Sequence, residues 1–454
     1  MSSHLRGRPS QRCLFGALVS LALLAPMVCG GALAAKFKLL YSFCQDGCVA
    51  RAPSAGFVRD GQGNLFGASI YGGANNDGIV FELEHIGKHR FKFKLLHSFS
   101  GYDGIDARGT LVIDAQGNLY GTTLEGGSNN AGVVYRLSPN AGKGGRRWSE
   151  KVLHNFCSAA DCKDGANPPS GLTYVGAAFG SVYDGVSPLY GTTEAGGKAG
   201  KGVVFEIRPK VTGKVETVIH NMCRFADCAD GGFPEGSVVA DQAGNLFGTT
   251  ATGGEGHGTI FELVLSPEGG KRRWTETILY NFCGRTCHDG AFPAGDLALD
   301  AEGNLFGVTP EGGDSCPGGI LNGCGTVFRL SRGGNGWIET ILHTFCLEDD
   351  CKDGIGAFQG VAIDSAGDIF GTTEAGGGND IDAFGNGGGV VYEISGSTFR
   401  VLHAFCSLPD CADGANPFSK PIVDPSGYIY GTTSYGGVSG GNFNGGTAFE
   451  IKIP

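Results

Sequence analysis

The sequence predicts an all-β fold, a seven-bladed β-propeller with four-stranded antiparallel blades. Three observations predict it. An aromatic-Gly pair recurs seven times, with 54 to 70 residues between successive copies. Each repeat holds short runs rich in Val, Ile, Phe, Tyr and Thr between Gly-rich turns, which is typical of strands. The two ends of the chain also supply complementary parts of one repeat, which predicts a ring closed by the N-terminal strand.

The repeat begins with the aromatic-Gly pair, continues through Thr-Thr and Gly-Gly, and ends in a β-branched run. The seven pairs are Phe66-Gly67, Tyr120-Gly121, Tyr190-Gly191, Phe247-Gly248, Phe306-Gly307, Phe370-Gly371 and Tyr430-Gly431. The seven runs span residues 79–83, 133–137, 203–207, 259–263, 326–330, 390–394 and 447–451. Together they predict one blade per repeat.

The second repeat illustrates the four strands of a blade. A first strand, 111–113, ends in Asp-x-x-Gly-Asn, whose Asp and Gly suit a tight turn. A second strand (118–123) leads through a Gly-rich loop to the third (133–137), and a fourth (151–156) follows a polar connection. Four antiparallel strands at this period describe a propeller blade.

The chain ends predict how the ring closes. Residues 37–43 match the fourth strand of the other repeats, whereas the chain stops at Pro454, just after a third strand. The N-terminal segment can therefore supply the missing outer strand of the last blade. Such pairing removes the free edges that an open ring would expose.

The N-terminus is predicted to be a signal peptide, residues 1–34, followed by a single propeller domain, residues 35–454. Three arginines precede an apolar run from Cys13 to Val28, and a small-x-small pattern places cleavage after Ala34. A lipid anchor at Cys29 is the alternative, but the residues before it lack the small side chain expected there. The prediction is a secreted or periplasmic protein.

Composition and charge exclude several classes of function. Gly accounts for 82 of 454 residues without a Gly-X-Y period, which excludes collagen. Removal of residues 1–34 takes away three arginines and no acidic residue, so the formal net charge of −11 becomes −14. Such an acidic chain favours neither nucleic acid nor anionic lipid as a partner. We expect a monomer without membrane insertion.

The cysteines predict disulfides. Of 16 cysteines, Cys13 and Cys29 precede the cleavage point, which leaves 14, an even number that suits an oxidising compartment. The predicted bonds are Cys44–Cys48, Cys157–Cys162, Cys223–Cys228, Cys283–Cys287, Cys316–Cys324, Cys346–Cys351 and Cys406–Cys411. Zinc binding is the alternative, but zinc needs four ligands at one point, whereas these pairs lie on different blades. The prediction includes no metal and no cofactor.

Two repeated polar positions have both a functional and a structural interpretation. One is an Asp-Gly pair, present as Asp103, Asp164, Asp230, Asp289, Asp353 and Asp413. The other is a histidine in the fourth strand, present as His97, His154, His220, His343 and His403 and replaced by Tyr41 and Tyr280. A ring of such groups could bind a cation or sugar hydroxyls. Their repetition favours the structural interpretation, in which the Asp caps its own turn.

The loops after the second and fourth strands emerge on one face, and they are the elaborate ones. We call this the loop face and expect it to bind ligand. Candidate ligand-binding residues in its Gly-Gly loops are Glu125, Glu194, Glu311 and Glu374. Candidates that break the repeat near the innermost strand are Arg108, Glu235, Asp296 and Lys420, and His288 breaks it in a disulfide loop. If the protein is catalytic, Glu235, Asp296 and His288 are the candidate catalytic residues.

The leading functional hypothesis is a binding module for a polar extracellular ligand, a glycan or a cell-envelope component. No nucleophile elbow, HExxH, phosphate loop or EF-hand loop occurs, which favours a non-catalytic function. A glycan hydrolase or lyase acting at the mouth of the central channel is the alternative, and a structural surface protein is a third. The fold by itself does not choose among them.

The residues 114–127, followed by 132–137 and 153–156, resemble the GloVer tandem-repeat family of exported bacterial proteins. The resemblance extends over nearly all of the chain after residue 34. It implies propeller-like repeats on a surface or secreted protein, and it brings no settled activity with it. Many members have a C-terminal sorting anchor, whereas this chain ends with its last strand, so we expect release. The third repeat departs from the pattern, because residues 176–188 replace the Asp-x-x-Gly-Asn turn.

Overall fold

A computed structural model describes most of the chain after the first 34 residues. The described residues are 35–45, 49–142, 145–209, 215–268, 271–283, 288–313, 323–334, 336–378, 387–438 and 445–454. Residues Ala35–Ile453 form one compact unit. The predicted signal peptide lies outside the described residues. Within those ranges, no helix has the length and apolar character needed to cross a membrane.

The strands form seven successive antiparallel sheets, the blades, which we number in chain order. Blade 1 consists of β3 (Val58–Arg59), β4 (Leu65–Ser69), β6 (Ile79–His85) and β7 (Phe91–Ser98). Blade 2 consists of β8 (Val112–Ile113), β9 (Leu119–Thr123), β10 (Val133–Gly142) and β11 (Gly145–Asn155). Blade 3 consists of β12 (Leu189–Thr193), β13 (Val203–Ile207) and β14 (Glu216–Asn221). Blade 4 consists of β15 (Val239–Ala240), β16 (Leu246–Thr250), β17 (Thr259–Glu268) and β18 (Lys271–Asn281). Blade 5 consists of β19 (Ala298–Leu299), β20 (Leu305–Thr309), β21 (Thr326–Gly333) and β22 (Gly336–Thr344). Blade 6 consists of β23 (Val361–Ile363), β24 (Ile369–Thr373), β25 (Val390–Ser395) and β26 (Thr398–Ala404). Blade 7 consists of β27 (Ile422–Val423), β28 (Tyr428–Thr433), β29 (Thr447–Lys452) and β1 (Lys36–Ser42). A small pair, β2 (Ala50–Arg51) with β5 (Tyr71–Gly72), lies beside blade 1.

The predicted closure of the ring is confirmed. Strand β1 pairs antiparallel with β29, from Lys36 opposite Lys452 to Ser42 opposite Thr447. Phe37 on β1 stacks on His403 of blade 6, with ring centroids 3.9 Å apart. The N-terminal strand thus completes blade 7 and also packs against its neighbour.

Blade 3 differs from the predicted four-stranded blade. Its sheet has three strands, and the inner strand is reduced to a single bridge between Thr173 and Tyr190. The insertion that follows contains a 3₁₀ turn, Ala177–Phe179. Its buried Tyr183 packs edge-to-face on Tyr120 of blade 2. The unusual turn seen in the sequence therefore replaces most of one inner strand.

The Asp-x-x-Gly-Asn turn forms because its aspartate accepts several hydrogen bonds. In blade 2, Asp114 Oδ1 accepts from the backbone N–H groups of Gln116 and Asn118, each at 2.9 Å. Its Oδ2 accepts from Asn118 Nδ2 at 2.7 Å. The same geometry recurs at Asp60, Asp241 and Asp300. Local chemistry thus sets the turn between the first and second strands.

The two threonines of the Gly-Thr-Thr motif have different functions. The second one bonds within its blade: Thr193 Oγ1 donates to Ala195 O at 2.8 Å. The first one joins neighbouring blades, as Thr192 Oγ1 donates to Gly236 O of blade 4 at 2.8 Å. The same bond between blades recurs at Thr122, Thr249, Thr372 and Thr432. Since the bond from Thr432 reaches blade 1, it also helps to close the ring.

The disulfide prediction is confirmed for the four pairs whose two cysteines are both described. These are Cys157–Cys162, Cys223–Cys228, Cys346–Cys351 and Cys406–Cys411. Cys44, Cys283 and Cys324 are also disulfide-bonded. Their predicted partners Cys48, Cys287 and Cys316 lie outside the described residues.

The repeated Asp and His residues bond to each other and to the disulfide loop. In blade 2, Asp164 accepts from the backbone N–H of Ser158 at 2.9 Å and of Ala159 at 3.0 Å. His154 Nε2 lies 3.2 Å from the same carboxylate. Equivalent pairs are His97–Asp103, His343–Asp353 and His403–Asp413. Tyr280 replaces the histidine by donating its hydroxyl to Asp289 at 2.8 Å. These contacts favour the structural interpretation of both positions.

The seams between outer strands are of two kinds. In each fourth strand, the residue four positions before the repeated His or Tyr faces the preceding blade. At three seams this residue is Phe37, Phe93 or Phe399, and it stacks on the neighbouring His or Tyr ring. At the other four it is a glutamate, Glu150, Glu216, Glu276 or Glu339.

Candidate functional site

Seven residues, one from each blade, surround the mouth of the central channel on the loop face. They stand at the same position of the repeat, just before the inner strand, and are Ser54, Arg108, Pro169, Glu235, Ala294, Phe358 and Phe418. All seven line one cavity of about 280 Å³. Glycines next to them let neighbouring blades approach closely. A Cβ added to Gly171 would lie 2.3 Å from the Thr110 carbonyl oxygen.

Two charged residues form a deeper level, two positions further along the repeat. Asp296 and Lys420 line both the mouth cavity and a second cavity of about 340 Å³ beneath it. Asp296 Oδ1 accepts from the backbone N–H of Ser237 at 2.7 Å. Burial raises the pKa of Asp296 and lowers the pKa of Lys420, and each charge partly offsets the effect on the other. The two groups thus mark the boundary between the mouth and the inner channel.

The inner cavity is lined mostly by apolar side chains of the inner strands. Val112, Val239, Leu299 and Ile422 are among them. At the end opposite the loop face it is lined by the blade 3 insertion through residues 174–178. The channel therefore changes from polar at the mouth to apolar within.

Arg108, Glu194 and Glu235 form the charged side of the mouth. The Arg108 guanidinium donates to both carboxylate oxygens of Asp106, with Nη2 at 2.6 Å from Oδ2. Burial raises the pKa of Glu194, the charge of Glu125 adds to the effect, and Arg108 opposes it. Burial also raises the pKa of Glu235, with a further contribution from the negative charge of Glu194. Two carboxyl groups with raised pKa values thus face one cavity.

The structure brings together five of the candidates predicted from sequence: Arg108, Glu194, Glu235, Asp296 and Lys420. No hydrogen bond or ion pair in the described part of the chain joins any two of Arg108, Glu235, Asp296 and Lys420. Their spacing is that of separate contacts around a cavity.

The other candidates do not line the cavity. Glu125 and Glu311 stand one residue later in the Gly-Gly loop than Glu194 and Glu374, and side chains of successive extended residues point to opposite sides. Glu374 shares the position of Glu194 in blade 6, where burial raises its pKa, but it lies outside the lining. His288 is exposed in the outer disulfide loop. The four glutamates thus occupy two different positions of the repeat.

Sequence reasoning missed the aromatic side of the mouth. Phe358 and Phe418, from adjacent blades 6 and 7, have ring centroids 5.6 Å apart and an interplanar angle of 39°. Both are half-buried and line the cavity. The signal was available, because both occupy the repeat position of Arg108 and Glu235. Because most repeats have a small or apolar residue near the innermost strand, the two phenylalanines do not stand out as the charged residues do.

One buried cluster has the side chains of a metal site. His220 Nε2 lies 3.2 Å from Glu276 Oε1, and the ligand atoms of both residues and of Asp230 lie within 4.8 Å of one another. Arg224 already supplies positive charge there, since Nη2 lies 3.0 Å from Glu276 Oε2 and Nε lies 3.4 Å from Asp230 Oδ2. The guanidinium thus pairs with both carboxylates that a metal ion would need as ligands. A second group, Cys324 with Cys346 and Cys351, consists of disulfide-bonded cysteines.

The fold and the cavity define a class of protein, a seven-bladed propeller whose loop face opens on a polar central mouth. The chain belongs to the Gloeobacter/Verrucomicrobia repeat family, whose sequence profile matches residues 32–187 and 176–381. The family resemblance found in the sequence is thereby confirmed. No curated protein sequence matches the chain.

Several solved structures are similar in chain path. A luciferin-regenerating enzyme has 8% identity and a TM-score of 0.40, with 92% of this chain and 96% of that one covered. An ulvan lyase of polysaccharide lyase family PL25 has 10% identity and a TM-score of 0.45, with 88% and 94% covered. The β-propeller domain of the trilobed protease from Pyrococcus furiosus has 8% identity and a TM-score of 0.44, with 89% and 94% covered. These values carry no argument about function.

Proposed function

We propose that the protein is a secreted binding module and that the mouth of its channel binds a polar extracellular ligand, a glycan or a cell-envelope component. One observation carries the proposal. Blades 2 to 5 contribute the charged groups Arg108, Glu194, Glu235 and Asp296, whereas blades 6 and 7 contribute two phenylalanine rings and, at the deeper level, Lys420. A sugar ring has hydroxyls at its edge and apolar C–H faces, so it matches a cavity with both kinds of lining.

The separation of the charged groups supports binding. Arg108, Glu235, Asp296 and Lys420 are distributed around the mouth without bonding to one another, so each can contact a different polar group of a ligand. Each of them stands shortly before an inner strand, which restrains the backbone that carries it and lowers the entropy lost on binding.

The disulfides support an extracellular ligand. Four disulfides formed between described cysteines suit an oxidising compartment. We place residues 1–34 as the signal peptide that directs the chain to the periplasm or the medium.

A second candidate function is glycan hydrolysis or elimination at the same mouth. It is favoured by Glu194 and Glu235, whose raised pKa values suit a carboxyl group that donates a proton. It predicts product formation as well as binding.

The test is a glycan-array and polysaccharide pull-down screen of the purified protein, with product analysis on every hit. We expect retention of at least one polysaccharide, weakened about tenfold or more in Phe418→Ala and Glu235→Gln. Glu255→Gln, an exposed glutamate of a Gly-Gly loop outside the cavity, is the matched control.

The outcomes separate the two candidates. Binding without turnover that depends on Phe418 and Glu235 supports the binding module. New reducing ends or unsaturated sugars would make the enzyme the correct assignment. Binding that is unchanged in both variants would remove the mouth as the site.

A further inference from the structure

Three departures from the sevenfold repeat meet at the seam between blades 7 and 1. In every blade, the segment before the inner strand bridges to the segment after the second strand. The bridge joins Arg51 to Tyr71 in blade 1 and Ala415 to Tyr435 in blade 7. The other bridges are Ile105–Glu125, Ala166–Ala195, Gly232–Thr252, Ala291–Glu311 and Ile355–Ala375. Tyrosine thus occurs after the second strand at this position only in blades 7 and 1, and its bridge partner is charged only in blade 1, where it is Arg51.

These departures surround one surface cavity. It has a volume of about 240 Å³ and is lined by Arg51, Ala52, Tyr71, Asn76 and Tyr435. The side chains of Tyr71 and Tyr435 are 49% and 41% exposed, which leaves aromatic surface in contact with solvent. None of the five lining residues belongs to the mouth cavity, so this pocket is a separate feature of the loop face.

The polar lining of the pocket consists of oriented donors. The Arg51 guanidinium lies 5.7 Å from the centre of the Tyr71 ring and donates to Asn76 Oδ1. Asn76 Oδ1 also accepts from the backbone N–H of Gly72 at 3.3 Å, so two donors hold the amide in place. Among the residues that the structure describes, the lining contains no carboxylate. A positive, donor-rich pocket stands out on a chain with a net charge of −11.

We infer that this pocket binds one acidic sugar residue of a polysaccharide. The carboxylate or sulfate of the sugar pairs with Arg51, since a guanidinium fork matches either group. The apolar face of the sugar ring packs on Tyr435. Because Tyr71 and Asn76 already hold Arg51, little side-chain entropy is lost when the anion binds. This inference goes beyond the proposed function, because it concerns a second site and specifies the charge of its ligand.

The test compares two matched probes by calorimetry on the purified protein. The probes are the galacturonate tetramer and its methyl ester, which have the same sugar backbone and differ only at the carboxyl groups. A sulfated carrageenan tetramer reports on sulfate. We expect the galacturonate tetramer to bind at least tenfold more tightly than its ester. Arg51→Gln and Tyr435→Ala should each weaken acid binding about tenfold.

Controls keep the result specific to the pocket. Tyr102→Ala removes a tyrosine that is 87% exposed on the same face but outside the pocket, and it should bind as the wild type does. Arg51→Lys keeps the charge without the fork and should fall between Arg51→Gln and the wild type. Thermal unfolding of each variant establishes that it is folded.

Three results would overturn the inference: equal affinity for acid and ester, no binding of either acidic probe, or wild-type affinity in Arg51→Gln. Loss of acid binding in Phe418→Ala but not in Tyr435→Ala would place the acidic sugar at the mouth. That result would support the proposed function while excluding this second site.

Discussion

At the scale of single residues, the aspartate after each disulfide loop connects three parts of a blade. Asp353 is fully buried, and its Oδ2 bonds to His343 Nε2 at 3.0 Å and accepts from the Leu347 N–H at 3.2 Å. In the equivalent Asp413, burial acts to raise the pKa, but hydrogen bonds from His403, Ser407 and the loop backbone lower it. The carboxylate is thus held charged by its partners, and its function is structural.

We predict that Asp353→Ala destabilises the fold by about 2–3 kcal/mol, because it leaves buried polar groups of His343 and Leu347 without a partner. Asp353→Asn keeps an acceptor and should lose less. Urea unfolding measures both, with the exposed Glu348→Ala as the control. A loss in Asp353→Ala no larger than in the control would contradict this prediction.

At the scale of elements, the Gly-Thr-Thr strand contributes a bond to the next blade as well as to its own. Thr192 is buried and donates to Gly236 O, whereas Ala68 and Val308 occupy the same position in blades 1 and 5 without a hydroxyl. The ring thus has this bond at five of its seven seams.

We predict that Thr192→Val costs about 1–1.5 kcal/mol, since it keeps the shape and removes one buried hydrogen bond. The reciprocal change, Val308→Thr, should cost less, because the Gln359 carbonyl stands where Gly236 O stands. Denaturant unfolding of the two variants checks the pair. Equal losses would show that the hydroxyl does not stabilise the seam.

The glutamate seams predict a dependence of stability on pH. Burial raises the pKa of Glu339 to about 7, with the charge of Asp289 contributing, and burial with Asp103 does the same for Glu150. The unfolded value is 4.5, so the folded chain binds this proton more tightly. The contribution to stability is therefore fully present below pH 4.5 and is lost as the pH rises to about 7.

We predict that Glu339→Gln is more stable than the wild type at pH 8, by roughly 1 kcal/mol because the carboxyl keeps some solvent contact. The difference should shrink as the pH falls to about 5, where the wild-type carboxyl is protonated. Thermal unfolding across this range measures it, with the exposed Glu255→Gln as the control. A difference that stays constant with pH would refute the assignment.

At the scale of the whole molecule, the ring depends on strand β1. Phe37 contacts His403, Phe405 and Phe449, so one side chain of the N-terminal strand joins blades 6 and 7. Closure also relies on Thr432, which donates to Pro53 O of blade 1 at 3.2 Å. Both links join residues from opposite ends of the chain.

We predict that Phe37→Ala destabilises the protein by about 2 kcal/mol, below the value for a fully buried ring because Phe37 is half-buried. Hydrogen exchange should increase first in β1 and β29. Lys36→Ala, an exposed residue of the same strand, should leave the exchange unchanged. A uniform increase over all seven blades would mean that the ring opens elsewhere.

The amino-acid sequence alone predicts the number of blades, the closing strand, the short disulfides and the Asp-x-x-Gly-Asn turns. Each is specified by residues close together in one repeat, and repetition makes the pattern legible. It also identified Arg108, Glu235, Asp296 and Lys420, because a charge at an otherwise small or apolar position departs from the repeat.

Which candidates share a cavity becomes apparent only in the folded chain. Glu194 of blade 3 lines the mouth, whereas Glu125, one position later in the corresponding loop of blade 2, does not. Strand alternation and the closure of the ring select between them, and neither is visible in the residue type. The same holds for the Phe358–Phe418 pair and for the Arg51 pocket, whose residues meet only because the two ends of the chain are joined.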